Sequence, residues 1–162
     1  MVKKVRIATV FLLAACLFSV YTTRKAEATA HFADIVQALD DRIVSIITSA
    51  TTTRDLLQTK LTNNLDRFTD GVITRKELCK KIRRLESKAD RKRNKFDRKI
   101  AKASRRKIRK LRNLGAPQTP YIDNAQALRD QGHIDKHVLY DTFDTAIIAA
   151  QLVATPCTLN LP

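Results

Sequence analysis

Residues 66–77 read DRFTDGVITRKE, and the fold turns on how these twelve residues are read. Thr74 and Glu77 stand at the spacing at which a hydroxyl and a carboxylate satisfy the first unpaired amides of a helix. Ile73 and Leu78 flank them as a hydrophobic staple. Gly71 suits the left-handed backbone that closes a preceding helix. The stretch therefore predicts a helix end, a four-residue turn at Thr69 to Val72, and a new helix start.

Apolar residues on both sides recur at helical spacing. Upstream they are Phe32, Ile35, Val36, Leu39, Ile43, Ile46, Ile47, Ala50, Leu57, Leu61, Leu65 and Phe68. Downstream, from Arg75 to about Asn113, they are Leu78, Ile82, Leu85, Ala89, Phe96, Ile100, Ala103, Ile108, Leu111 and Leu114. At 1.5 Å per residue the second helix should be about 57 Å long. Trp is absent and only three Gly are present, with Leu, Ile and Ala leading the apolar set, which favours helix over sheet. The fold class expected is all-α: a long antiparallel helical hairpin with a third, C-terminal helix packed on it.

Three finer expectations follow. The upstream stripe weakens at Ser49 to Thr53, where β-branched threonines favour a kink or break. Gly115, Pro117 and Pro120 end the second helix, and Gln118 to Gln131 reads as a polar connection with room for one short helix. Ile134 to Thr155 then gives the third helix, with Asp135 near its cap. Its broad apolar face carries Val138, Leu139, Phe143, Ile147, Ile148, Leu152 and Val153. The organisation expected is a leader or anchor over 1–30, the hairpin over 31–114, and a linker with the last helix over 115–162.

The turn also resembles an EF-hand, over roughly Leu61 to Leu85. Such a loop offers oxygens at its first, third, fifth, seventh, ninth and twelfth places, with glycine at the sixth. Here those places hold Asp66, Phe68, Asp70, Val72, Thr74 and Glu77, and the sixth is Gly71. The resemblance implies calcium held by the side chains of Asp66, Asp70, Thr74 and Glu77 and by the Val72 carbonyl. Phe68 departs from the pattern, because it has no oxygen to give at the third place. Arg67, Arg75 and Lys76 also oppose a divalent ion, so the implied site is weak, on the order of 10⁻⁴ M or poorer. The double-cap reading accounts for Gly71, Ile73, Thr74, Glu77 and Leu78 without any metal.

The first thirty residues, MVKKVRIATVFLLAACLFSVYTTRKAEATA, resemble an export signal. Lys3, Lys4 and Arg6 precede an apolar run from Ile7 to Tyr21, and Ala26, Ala28 and Ala30 offer small-residue cleavage sites. A lipid-modified Cys16 after Leu13-Ala14-Ala15, or an uncleaved anchor reaching Thr23, are the other readings of this region. All three place the rest of the chain outside the cytoplasm. In that setting Cys79 and Cys157 are a candidate disulfide. It would close a loop of about 79 residues and stabilise by about 4 kcal/mol.

The net charge of +15 belongs to one helix. Between Arg75 and Arg112 there are twenty Lys or Arg against four Asp or Glu. Like charges at i, i+4 cost a few tenths of a kcal/mol each, so fold stability does not explain the pattern. A polyanion surface does. The residues expected to contact an anionic polymer or membrane surface are Lys80, Lys81, Arg83, Arg84, Lys88, Arg91, Lys92, Arg93, Lys95 and Arg98, followed by Lys99, Lys102, Arg105, Arg106, Lys107, Arg109, Lys110 and Arg112. Phe96 alone interrupts them and lies on the apolar stripe, which argues against base stacking.

Catalysis finds little support. No glycine-rich phosphate loop and no nucleophile elbow is present. His133 and His137 lie one helical turn apart with Asp141 beyond, a spacing that suits a transition metal but also arises by chance. The function expected is a non-enzymatic, exported helical calcium binder. The second expectation is a structural or adhesive protein that holds an acidic glycan, lipopolysaccharide or nucleic acid along the basic helix. Helical self-association is compatible with both, and neither has a small-molecule substrate.

Overall fold

A computed structural model describes the backbone of residues 2–154 and the side chains of residues 26–154. Three helices carry the chain: α1 over Val2–Thr69, α2 over Arg75–Asn113 and α3 over Asp123–Val153. They form the expected all-α arrangement, and the core shows their directions. Leu57 and Leu61 of α1 share a cluster with Leu78, Ile82 and Leu85 of α2 and with Ile147 and Ala150 of α3. At the other end Phe32, Ile35 and Leu39 of α1 meet Ile108 and Leu111 of α2 and Ala125 of α3. Early α1 thus lies beside late α2, so successive helices run antiparallel.

The corner between α1 and α2 is closed by caps from both sides. Gly71 has φ +71°, the left-handed conformation that lets the chain turn out of α1. Its amide donates to the Phe68 carbonyl at 3.0 Å, and the Val72 amide to that of Arg67 at 2.8 Å. These two bonds are the Schellman pattern. Thr74 then caps α2 in a reciprocal capping box with Glu77. Ile73 and Leu78 are both buried in the core, as a staple requires. A second left-handed glycine, Gly115, closes the far end of α2 in the same manner.

Two expectations about helix limits are corrected. The run Ser49 to Thr53 does not break α1. The hydroxyls of Thr48, Ser49, Thr51, Thr52 and Thr53 each donate to the carbonyl four residues earlier, at 2.9 to 3.1 Å. Bonding back to the helix's own carbonyls keeps these hydroxyls from competing with the ladder. The connection after α2 is also shorter than the polar composition suggested. α3 begins at Asp123, so Asp135 lies inside the helix rather than at a cap. Asp123 accepts from Gln118 Nε2 at 2.6 Å and from the Thr119 hydroxyl, which fixes the preceding turn. Tyr121 packs against Phe32 in a tilted pair with ring centroids 5.4 Å apart, pinning that turn to α1.

The buried face of α3 is rotated from the expected one. Ala125, Gly132, Lys136, Tyr140, Phe143, Ile147 and Ala150 face inward. Val138, Ile148, Leu152 and Val153 are 58–66% exposed. The cause is a close approach at Gly132. A Cβ there would stand 2.8 Å from Cγ2 of Ile43, so only glycine lets α3 settle against α1 at this point.

Candidate functional site

α2 has an inner and an outer face, and both are charged. On the inner face Asp97 joins α2 to α3. Its Oδ1 lies 2.8 Å from His133 Nδ1, and its Oδ2 is paired with Lys136 Nζ. Lys136 is fully buried, and its Nζ also lies 3.2 Å from His137 Nε2. Burial alone would raise the Asp97 carboxyl, but the hydrogen bonds and charges of Lys136 and His133 outweigh it and hold its pKa below the ordinary value. One turn away, Arg93 pairs with Asp144 and lies over the Tyr140 ring, 5.5 Å from its centroid. Tyr140 is buried, which raises its pKa against the opposing pull of Arg93. Its hydroxyl finds no hydrogen-bond partner among the described residues.

The spacing of Lys136 with Gly132, Tyr140 and Phe143 could have revealed this seam in the sequence. A lysine in phase with core positions reads as a break in the stripe unless its carboxylate partner on another helix is known. His133 and His137 are engaged with Asp97 and Lys136 respectively, which leaves them apart as metal ligands.

On the outer face of α2 the cations lie in two rows. Arg84, Arg91, Arg98, Arg105 and Arg112 recur at every seventh residue. Lys81, Lys88, Lys95, Lys102 and Arg109 recur at the same interval, three residues before each arginine. Alternating steps of three and four keep both rows on one side of a 3.6-residue helix. All ten are exposed except Lys81, which is half-buried. None of the ten forms a salt bridge with a described carboxylate. Arg98, Lys102, Arg105 and Arg109 line one shallow groove along this side, and Arg91, Lys95, Arg98 and Lys102 line the next.

The remaining expected contacts are placed around these rows. Lys80, Arg83, Lys99, Arg106 and Lys110 are exposed; Arg106 and Lys99 line the same two grooves as the rows, and Lys99 Nζ lies 5.2 Å from the Phe96 ring centroid. Lys92 and Lys107 are half-buried. Arg93 belongs to the inner seam and is withdrawn from the outer surface.

The expected calcium ligands do not come together. Among the described residues no three His, Cys, Asp or Glu side chains gather into a group that could hold a metal ion. α1 continues three residues past Asp66, and the Asp70 amide donates to the Asp66 carbonyl at 2.8 Å. That helical turn replaces the open arc that would wrap an ion. Glu77 Oε2 accepts from the Thr74 amide at 2.8 Å and from its hydroxyl at 3.1 Å. These bonds to Thr74 lower the Glu77 pKa. Val72 and Thr74 therefore take part in a double helix cap, and Asp66, Asp70 and Glu77 do not gather into one group in this structure.

Cys79 is buried, with its Sγ 3.9 Å from the Ala154 carbonyl oxygen. Cys157 lies outside the described residues, as do the side chains of the first twenty-five residues, including Cys16. Among residues with described side chains, no helix is long and apolar enough to cross a membrane. No protein-family model, curated protein or solved structure matches the chain.

Proposed function

We propose that this chain is a non-enzymatic, exported helical protein that holds anionic polymers along the outer face of α2, with α1 and α3 as its scaffold. The observation that carries the reading is the contrast in pairing on one helix. Arg93, which faces α3, is paired with Asp144, whereas the ten in the outer rows form no salt bridge with a described carboxylate. Ten aligned cations left to solvent repel one another, and an anionic partner relieves that repulsion. The export-signal pattern of the N-terminus supports the location. It also supports a Cys79–Cys157 disulfide, because Ala154, three residues before Cys157, already lies against Cys79.

The test is binding of the full chain to heparin across a salt series. Counterion release makes log affinity fall linearly with log salt for nucleic acids, and the same argument applies to any densely charged polymer. A steep negative slope is expected. Affinity independent of salt between about 50 and 200 mM would refute the electrostatic reading.

A further inference from the structure

We propose that the partner is a single extended strand of sulfate or phosphate groups, lying lengthwise on the two outer rows of α2. The inference rests on the polyanion reading above and narrows it. From Arg84 to Arg112 the rows extend about 42 Å at 1.5 Å per residue. Nine of the ten cations fall within that length and present one charge about every 5 Å, without a gap. A seven-residue repeat drifts by about 20° per heptad on a straight helix, so the rows wind only slowly around α2. A linear strand follows such a path along its whole length.

Other polyanions match it poorly. The phosphate rows of a DNA duplex spiral with a pitch of about 34 Å, so a straight 42 Å edge meets each row only locally. Single-stranded nucleic acid gains much of its affinity from bases stacked on aromatic rings. The only aromatic of α2, Phe96, is buried. Docking on a lipid surface uses apolar side chains beside the basic ones. No large apolar residue between Arg75 and Asn113 is exposed. The arginines at every seventh position supply planar forks that bind tetrahedral oxyanions through paired hydrogen bonds.

The experiment uses the full chain, a length series of heparin oligosaccharides, inorganic polyphosphate of matched lengths, and duplex DNA as comparison. Affinity should climb with strand length until the strand spans about 40 Å, then level off as further length brings a second protein copy. Heparin and polyphosphate arms separate sulfate from phosphate as the preferred group. Two double variants remove the same charge: Arg91→Ser/Arg98→Ser within the rows, and Arg42→Ser/Lys60→Ser at exposed positions of α1. The first should flatten the salt slope by about two, one for each lost contact, and the second by much less. Equal losses in both variants, no plateau with length, or tighter binding of duplex DNA each overturn the lengthwise strand while leaving polyanion binding intact. Failure to bind any of the three polymers at low salt overturns both.

Discussion

Asp97 and Arg98 are neighbours in sequence and belong to different worlds in the fold. Asp97 faces α3, where it is held between Lys136 and His133. Arg98 faces away, in the middle of the outer rows. The inner face matches its charges and turns them into a seam between helices. The outer face leaves them unmatched. Net charge alone does not distinguish these two uses of the same residue types; position on the helix does.

The sharpest way to break this comparison is to substitute the two neighbours in turn. Asp97→Ala strips a buried lysine of its counter-charge and should lower unfolding free energy by about 3 kcal/mol in denaturant titration. Arg98→Ala should change it by no more than about 0.5 kcal/mol. The order should reverse for heparin, where only Arg98→Ala weakens binding. Equal stability effects would erase the distinction between the faces. Lys136→Met tests the seam from its other side. The methionine fills the buried volume and leaves Asp97, partly exposed, with His133, so the loss of stability should be smaller than that of Asp97→Ala.

The corner offers a second test. Thr74→Ala removes the α2 cap and should cost about 1 kcal/mol. Calcium at millimolar concentration should leave the thermal midpoint of the parent unchanged, and a rise abolished by Glu77→Ala would restore the metal reading. A smaller effect concerns acid. The Asp97 pKa is lowered by folding, so its pairing contributes stability above the unfolded value near 3.9. That contribution is lost as pH falls through the depressed folded value. Stability of the parent should decline more steeply below about pH 4 than that of Asp97→Asn. Tyr140→Phe is the mildest change. Removing a buried hydroxyl without a partner should leave stability equal or raise it by up to about 1 kcal/mol.

Much of the architecture was legible because local signals agreed. Thr74, Glu77, Ile73 and Leu78 all mark one helix start, and α2 begins at Arg75 and ends at Asn113 as the pattern requires. The threonine run misled because propensity penalises side chains that compete with the backbone, whereas here the hydroxyls bond back within α1. The start and rotation of α3 were hidden for a different reason. They depend on Gly132 meeting Ile43 and on Lys136 meeting Asp97, contacts that are remote in sequence. The calcium expectation arose where one set of residues serves two motifs. Glu77 can cap a helix or ligate an ion, and its bonds to Thr74 commit it to the cap.

The closed corners at Gly71 and Gly115 carry one more consequence. With caps at both ends and a packed inner face, α2 has no hinge about which it could swing out to embrace a polymer. It meets its partner as a stiff ruler, already shaped, and the ordering entropy of docking falls on the polymer. Between two chains of equal charge and length, the stiffer one should therefore bind more tightly.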